Sequence, residues 1–251
     1  LKGRMSQTRP LSPVLSVVIP TYNERENAER FIPKLADAFR DIPHEIIVVD
    51  DSSPDGTAAA VRGLAGRYPI ELVVRRGRGG FASALRDGYD RARGDVILSI
   101  DVDGSFPASD ARAVYAALVA GQDLVIGSRH SVGSHFPAPT PELKIRRFSS
   151  AWENRLLRWL TGIPLHDFTA NCRALRRSLW ERLQPREETS FFLVEMVLLA
   201  AARGASIGEV PVTFAERASG TTKINHVIEI PRALFRAATF VLRHRTGRGW
   251  H

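Results

Sequence analysis

The sequence is poor in cysteine, and it has no long apolar run. Cys172 has no second thiol in the chain to pair with, which excludes an internal disulfide and suits a reducing compartment. No stretch reaches the roughly 18 uncharged apolar residues of a membrane span, and the N-terminus lacks the apolar block of a signal peptide. No spacing of His and Cys indicates zinc. We therefore expect a cytoplasmic protein, or one that is peripheral on the inner face of the membrane.

The composition is that of a globular protein. The chain has 251 residues, 44% hydrophobic and 25% charged, which excludes disorder and favours one large domain. Residues 1–13 are interpreted as a cloning remnant before Met5 and a loose leader. The net charge of +8 favours an anionic partner. No nucleic acid is expected, since aromatic side chains are not interleaved with Lys and Arg on one face and no recognition motif is present.

Short apolar runs alternate with helical patterns in the first half of the chain. The runs at residues 15–19, 45–49, 70–74, 96–100 and 123–126 are rich in β-branched residues. The alternation predicts an α/β fold, with a mostly parallel central sheet flanked by helices. The first helix is expected at about residues 25–40, with Asn23 as its cap.

The pattern changes after about residue 126. Residues 130–142 are rich in Pro, Gly, Ser and His and predict a mobile lid that is too polar to pack. Helices are expected at about residues 143–160, 192–203 and 226–243, and a strand at about 206–214. The second half is expected to extend the sheet domain rather than to form a separate one.

Acidic residues follow two of the predicted strands. Asp50 and Asp51 end the second strand, while Asp101 and Asp103 follow the fourth. Alternate side chains of an extended segment share a face, so the latter two carboxylates can point into one crevice. Two carboxylates that converge repel each other unless a cation or hydrogen bonds neutralise them. A divalent metal such as Mg²⁺ or Mn²⁺, shared with diphosphate oxygens, would do so.

Three segments in this order resemble a known enzyme family. They are Pro-Thr-Tyr-Asn-Glu at residues 20–24, Val-Val-Asp-Asp-Ser-Ser-Pro-Asp-Gly-Thr at 48–57 and Asp-Val-Asp-Gly at 101–104. The sequence resembles the family 2 inverting glycosyltransferases of the GT-A fold, which is a Rossmann-like nucleotide-sugar-binding fold. Within them it is most similar to the polyprenol-phosphate (dolichol-phosphate) mannosyltransferases. The resemblance implies a catalytic domain at residues 14–225, followed by an amphipathic basic helix and tail at 226–251.

The resemblance also implies a reaction and a set of site residues. A hexose, with mannose favoured, would move from a nucleoside-diphosphate sugar (GDP-mannose or a UDP-sugar) to a polyprenyl monophosphate, with Mg²⁺ or Mn²⁺ as cofactor. The residues implied for nucleotide-sugar binding are Pro20, Tyr22, Glu24, Asp50, Asp51, Arg78, Gly79, Asp101 and Val102. Those implied for catalysis are Asp103, Arg129, Arg146, Asp167, Arg217 and Lys223; Arg129, Arg146 and Ser150 would bind the acceptor phosphate, and Asp101 and Asp103 the metal.

The acceptor stays the most open part of the prediction. A phosphate monoester is already an anion and needs no general base, whereas a hydroxyl acceptor needs a carboxylate, for which Asp167 is the first candidate. Asn171 and Cys172 replace a small residue and an aromatic in the matching family segment, which favours a soluble small-molecule acceptor as the alternative. Glu195 is equally open to a catalytic role or to a structural ion pair. The last helix could lie on an anionic bilayer or pack in the core.

Overall fold

The structure, a computed structural model, describes residues 14–215 and 226–245, with side chains at 14–215 and 231–242. The strands are β1 (Leu15–Thr21), β2 (His44–Asp50), β3 (Ile70–Val74), β4 (Val96–Ser99), β5 (Leu124–Ser128), β6 (Arg173–Arg176) and β7 (Ile207–Pro211). The helices are α1 (Arg25–Ala38), α2 (Thr57–Leu64), α3 (Phe81–Arg91), α4 (Ala108–Val119), α5 (Pro141–Thr161), α6 (Arg177–Leu183), α7 (Phe192–Ala202) and α8 (His226–Arg245).

The described strands form one seven-stranded sheet in the order β3-β2-β1-β4-β6-β5-β7. Neighbouring strands from β3 to β4 are parallel, β5 and β7 are also parallel, and β6 runs antiparallel to both β4 and β5. Strands β1, β2, β4, β5 and β6 are buried almost throughout, as expected where helices cover a sheet, whereas the edge strands β3 and β7 are only partly buried. The predicted α/β architecture with a mostly parallel central sheet is therefore confirmed.

The parallel strands determine where a ligand can bind. Thr21 at the end of β1 pairs with Asp50 at the end of β2, and β4 enters the sheet beside β1. The loops that follow these three strands consequently meet at one edge of the sheet. In open α/β sheets this carboxyl edge is where ligands bind.

Strand β6 and helix α6 are absent from the sequence-based assignment. Strand β6 is four residues long and begins and ends with arginine, so it lacks the apolar alternation of a strand. The structure buries Arg173 completely, and its guanidinium donates to the backbone oxygens of Phe168, Ala170 and Leu193. Burial lowers the pKa of Arg173 to about 10, so the side chain is still charged at neutral pH.

Asn23 does not cap α1, contrary to the sequence-based expectation. Its backbone has a positive φ of 58°, and Glu24 occupies the cap position without a side-chain cap bond. Backbone N–H groups before and at the start of α1 instead donate to side chains of the segment between β2 and the first residue of α2. The bonds run from Asn23 to Ser53 Oγ (2.9 Å), from Glu24 to Thr57 Oγ1 (2.9 Å) and from Arg25 to Asp55 Oδ2 (3.2 Å). These bonds join the two loops at the carboxyl edge.

The loop at residues 130–142 packs into the core at Phe136, so the expectation that it is too polar to pack is wrong at this residue. Phe136 is 7% exposed, and its ring centroid lies 4.7 Å from that of Phe214. His135 donates through its backbone N–H to Val212 O and accepts from Phe214 N, which attaches the loop to the segment after β7. The mobility of this loop stays a prediction.

Helix α8 packs against α5 and α7. Its buried residues Ala233, Ala237 and Val241 recur every four positions, so one face of the helix joins the core. Of the two alternatives for the last helix, core packing is therefore the one that applies to the face with these three residues. Within residues 14–215 and 226–245, no helix has both the length and the apolar character needed to cross a bilayer.

Helix α3 approaches the sheet closely at Gly88. A Cβ placed there would lie 2.3 Å from Val18 Cγ1 and 3.2 Å from Val49 Cγ2. We predict that Gly88→Ala lowers the free energy of unfolding by about 1–3 kcal/mol, because the extra methyl group overpacks the core. Urea denaturation followed by circular dichroism measures this change.

Gly63→Ala is the matched control, since Gly63 also lies in a helix and a Cβ there meets nothing within 4 Å. This substitution is expected to leave stability unchanged or to raise it by up to about 1 kcal/mol. Equal effects of the two substitutions would contradict the close approach of α3.

Candidate active site

A cavity of about 820 Å³ opens at the carboxyl edge of the sheet. The predicted site residues that line it are Pro20, Tyr22, Glu24, Asp51, Arg78, Asp101, Val102, Asp103, Arg129, Arg146 and Ser150. Asp50, Gly79 and Asp167 do not line it, and Arg217 and Lys223 lie outside the described residues. A second cleft of about 560 Å³, formed mainly by residues of α3 and α6, contains none of the predicted residues.

The two carboxylates predicted to hold a metal lie on the same wall of the cavity. Strand β4 ends at Ser99, so Asp101 and Asp103 share the cavity from a turn and not from an extended strand. Asp103 Oδ1 accepts a hydrogen bond of 3.0 Å from the backbone N–H of Ser105. The Ser105 hydroxyl is buried, lines the cavity and has no hydrogen-bond partner among the described residues.

These groups fit a divalent cation whose coordination sphere is completed by a bound ligand. Carboxylate and hydroxyl oxygens are the ligand types that Mg²⁺ and Mn²⁺ take. Within residues 14–215 and 226–245, no group of three or more His, Cys, Asp and Glu side chains could hold a metal ion. Further oxygens would therefore have to come from a bound diphosphate, as is usual for Mg²⁺ in phosphate-transfer sites.

Asn171 orients Asp101 through a chain of hydrogen bonds. Its amide nitrogen donates to Asp101 Oδ1 at 2.8 Å, and its Oδ1 accepts from Ser99 Oγ at 2.9 Å. Ser99 Oγ in turn accepts from Tyr89 Oη at 2.7 Å in the core below the cavity. Asn171 differs from the residue in the matching family segment, but the sequence does not indicate that its side chain contacts a candidate metal ligand.

Asp51 shapes the glycine-rich segment at residues 75–84. Its carboxylate accepts hydrogen bonds of 2.8 Å from the backbone N–H groups of Gly79 and Gly80, and one of 2.9 Å from Arg75. A Cβ at Gly79 would lie 2.1 Å from the Arg75 guanidinium, so a larger residue there would have to displace the end of that side chain. The predicted binding residue Gly79 lies outside the cavity lining and donates its N–H to Asp51, while Gly80 lines the cavity. Arg75 is absent from the predicted site residues.

Arg78 extends over the aromatic ring of Tyr22. The guanidinium carbon lies 4.3 Å from the ring centroid, which is within the range of a cation–π interaction. Both side chains line the cavity. The interaction places a positive charge and an aromatic face at the side of the cavity where the loop after β1 meets the glycine-rich segment.

Asp50 has a structural position instead of the predicted binding position. It is fully buried at the end of β2 and lies outside the cavity. Its carboxylate accepts hydrogen bonds from Thr21 Oγ1 and from both the backbone N–H and the hydroxyl of Ser53. These bonds fix the loop that presents Asp51.

A buried ion pair holds the first predicted acceptor arginine. Arg129 Nε lies 2.7 Å from Asp167 Oδ2 and Arg129 Nη2 lies 2.8 Å from Oδ1, while Nη2 also donates to Thr169 Oγ1 at 2.7 Å. Burial alone would raise the pKa of Asp167, but the charge and hydrogen bonds of Arg129 hold that pKa well below its ordinary value. Burial alone would lower the pKa of Arg129, and Asp167 raises it, so the pair stays ionised.

Asp167 is therefore a positioning residue and not the general base that a hydroxyl acceptor would need. The carboxylate is fully buried, does not line the cavity and is held as an anion by Arg129. A base must lie within hydrogen-bond reach of the proton that it removes. The expectation of a catalytic Asp167 is corrected on these grounds.

An aromatic ring supports both acceptor arginines. The guanidinium carbons of Arg129 and Arg146 lie 5.3 and 5.5 Å from the ring centroid of Phe214. Phe106 and Phe136 pack edge-on against the same ring. This support keeps two positive charges on one side of the cavity, opposite in chemical character to the wall that carries Asp101.

Ser150 joins the arginine side of the cavity from α5. It is buried on the same helix as Arg146, and its hydroxyl lies 3.0 Å from His130 Nε2. Burial lowers the pKa of His130, so this ring is neutral at pH 7 and the positive charge at this wall comes from arginine.

Glu195 has a structural role in the described part of the chain. It lies on α7 outside the cavity, and its carboxylate accepts hydrogen bonds from the backbone N–H groups of Arg186 and Glu187. These bonds hold the loop at residues 188–191, which lines the cavity. The sequence alone gives no sign of this loop.

The fold is that of the GT-A glycosyltransferases. The profile of glycosyl transferase family 2 matches residues 16–183, and the chain belongs to this family. Solved structures of glucosyl-3-phosphoglycerate synthase from Mycobacterium tuberculosis share its fold. One, in complex with Mn²⁺, uridine diphosphate and phosphoglyceric acid, has a TM-score of 0.67 at 18% identity and covers 92% of this chain and 78% of that chain. Another contains Mg²⁺ and uridine diphosphate, with a TM-score of 0.65 at 17% identity, covering 94% and 81%.

Curated relatives are similar over most of the chain. The polyprenol monophosphomannose synthase of Mycolicibacterium smegmatis is 34% identical over 92% of this chain and 88% of the relative. The undecaprenyl-phosphate mannosyltransferase of Micrococcus luteus is 36% identical, over 83% and 86%. The dolichol-phosphate mannosyltransferase of Pyrococcus furiosus is 30% identical, over 88% of this chain and 63% of that longer protein.

Removing the charge of Asp167 should destabilise the protein. We predict that Asp167→Asn lowers the free energy of unfolding at pH 7 by about 3 kcal/mol, because it leaves Arg129 buried without a counter-charge. The folded-state pKa of Asp167 is depressed, so its stabilisation is present above the ordinary carboxyl pKa of 3.8 and is lost as the pH falls below it. The difference between the two proteins should therefore narrow below about pH 4.

Chemical denaturation across this pH range measures both effects. Asp95→Asn is the control, since the side chain of Asp95 is 81% exposed. This substitution is expected to change the free energy of unfolding by less than about 0.5 kcal/mol. An unchanged unfolding midpoint for Asp167→Asn would show that the ion pair does not hold this wall.

Proposed function

We propose that this enzyme transfers a hexose, with mannose favoured, from a nucleoside-diphosphate sugar to the phosphate of a polyprenyl monophosphate. The observation that carries the proposal is that one cavity is lined both by Asp101 and Asp103, which we call the acidic wall, and by Arg129 and Arg146, which we call the arginine wall. Such a cavity can hold a metal-bound diphosphate and a second anion at the same time. Relatives named as polyprenol-, dolichol- and undecaprenyl-phosphate mannosyltransferases support this choice of substrates.

The donor is proposed to lie between the loop after β1 and the turn after β4. Pro20, Tyr22, Glu24 and Asp51 would surround the base and ribose, and Arg78 would face the nucleotide. Asp101 and Asp103 would hold Mg²⁺ or Mn²⁺, which stabilises negative charge on a departing diphosphate. The presence of Mn²⁺ or Mg²⁺ with uridine diphosphate in structures of the same fold supports this assignment. Arg217 and Lys223, outside the described residues, keep the phosphate-binding role that the family resemblance implies.

The acceptor phosphate is proposed to bind between Arg129, Arg146 and Ser150. A phosphate monoester is already an anion at neutral pH, so its oxygen can attack the anomeric carbon without a general base. The bond from that carbon to the diphosphate breaks, the nucleoside diphosphate leaves and the configuration inverts. The arginines supply orientation and proximity, not proton transfer. The buried, ion-paired state of Asp167 supports this version over attack by a hydroxyl.

The location is proposed to follow from the acceptor. A polyprenyl phosphate is anchored in a bilayer, so the enzyme would act at the membrane surface on the side where nucleotide sugars are present, which is the cytoplasmic side.

The proposed catalytic domain comprises residues 14–225. Helix α8 adds Ala233 to the lining of its cavity.

Transfer to defined acceptors tests the proposal. The purified protein should transfer sugar from a nucleotide sugar to citronellyl phosphate in the presence of Mg²⁺ or Mn²⁺, and should not transfer it to citronellol. Across a panel of GDP- and UDP-sugars, GDP-mannose is expected to react fastest. Transfer to the alcohol but not to the phosphate would contradict the proposal.

The acidic wall can be tested in the same assay. Asp103→Asn should lower kcat by about a hundredfold or more, because charge that develops on the leaving diphosphate loses its stabilisation. Asp37→Asn is the control, because Asp37 is an exposed residue on α1, and this variant should transfer sugar at the normal rate. Full activity of Asp103→Asn would exclude a catalytic metal at this wall.

Asn171 can be tested by metal affinity as well as by activity. Asn171→Ala removes the donor to Asp101 Oδ1, and loss of such an orienting group typically costs 10–100-fold in metal affinity or activity. Electron paramagnetic resonance should therefore show weaker Mn²⁺ binding in the presence of nucleoside diphosphate, by about that factor. If Mn²⁺ affinity is unchanged, Asn171 does not orient a metal ligand.

A further inference from the structure

Helix α5 exposes large apolar side chains along one side, which we call the α5 stripe. The members of the stripe are Ile145, Phe148, Trp152 and Trp159. Their exposed fractions run from 52% for Trp152 to 80% for Trp159. The spacings of three, four and seven residues place them on one side of the helix.

The buried side of α5 lies opposite the stripe. Its buried residues are Ser150, Asn154, Leu157 and Thr161, at spacings of four, three and four. At about 100° per residue the centres of the two sets are roughly 180° apart. Three of the four buried residues are polar, whereas all four members of the stripe are large and apolar, so the usual polarity of a surface helix is reversed here. An apolar surface of this kind marks an interaction site.

Charge at the stripe favours an anionic partner. Four exposed basic residues accompany it on α5: Lys144, Arg147, Arg155 and Arg158. Of the two acids on this helix, Glu142 lies in the first turn and Glu153 lines the cavity. Tryptophan and phenylalanine beside lysine and arginine are the side chains that a helix uses to lie in the headgroup region of an anionic bilayer.

The position of the stripe fits the acceptor side of the cavity. Arg146, Ser150 and Glu153 line the cavity from the same helix. A helix with its side chains is about 10–12 Å across, so the stripe lies within about that distance of the acceptor wall. Helix α8, which packs against α5, adds the exposed side chains of Phe235 and Leu242.

We propose that the α5 stripe docks this protein on the surface of an anionic bilayer, with its apolar side chains in the headgroup region. The docking brings the acceptor wall to the level at which a membrane-anchored phosphate lies. In that respect the inference rests on the proposed lipid-phosphate acceptor, but the binding of the protein to lipid is measured separately from catalysis.

Vesicle binding tests the docking. The full chain is sedimented with phosphatidylcholine vesicles that contain about 30% phosphatidylglycerol, and with vesicles of phosphatidylcholine alone. We expect binding to the anionic vesicles that weakens in high salt, together with a blue shift of tryptophan fluorescence. The double substitution Trp152→Ser/Trp159→Ser should weaken this binding by about tenfold or more, since each side chain contributes apolar burial. Val119→Ser, at a 48% exposed apolar residue on α4, is the matched control and should bind normally.

Transfer to citronellyl phosphate in the absence of vesicles separates the two proposals. The double variant should keep at least about half of this activity while it loses transfer to a long polyprenyl phosphate in vesicles. If the natural protein binds vesicles through the stripe but modifies neither phosphate, the docking stands and the proposed reaction fails. Normal vesicle binding by the double variant would overturn the docking. The docking would also be overturned if the stripe joined two copies of the chain and its substitution had no effect on vesicle binding.

Discussion

The buried ion pair between Arg129 and Asp167 is the constraint on which the acceptor side of this site depends. A guanidinium in a largely buried wall is costly unless it is paired and hydrogen-bonded, and Asp167 satisfies it through two oxygens. The backbone N–H groups of Thr169 and Ala170 in turn fix the carboxylate. The pair therefore holds a positive charge in place before any anion arrives, so that an incoming phosphate need not order it.

The acidic wall is organised by hydrogen bonds that begin in the core. Tyr89 and Ser99 orient Asn171, which donates to Asp101, while the backbone of Ser105 donates to Asp103. The sheet joins the two walls, because β4 and β5 both flank β6. The two walls thus come from loops that follow β4 and β5 of the same sheet, on either side of β6, and the fold sets their separation.

The sequence predicts the elements that a local pattern specifies. Alternating apolar runs locate five of the strands, and the loops after β1, β2 and β4 bring Tyr22, Asp51 and Asp101 to one edge. Strand β6 is missed because its buried Arg173 is stabilised by backbone carbonyl oxygens of Phe168, Ala170 and Leu193, which no pattern of apolar residues reveals. The misassignment of Asp167 has the same origin. A carboxylate that serves as a counter-ion and one that serves as a base look identical until the partner is located.

The central claim is that one cavity binds a metal-bound diphosphate at the acidic wall and a phosphate at the arginine wall. The most direct measurement is anomalous diffraction from a crystal soaked with Mn²⁺, a nucleoside diphosphate and citronellyl phosphate. The account predicts a manganese peak in contact with Asp101 and Asp103, and the phosphate of the prenyl compound beside Arg129 and Arg146. A manganese peak away from both carboxylates, or a prenyl phosphate bound outside the arginine wall, would contradict it.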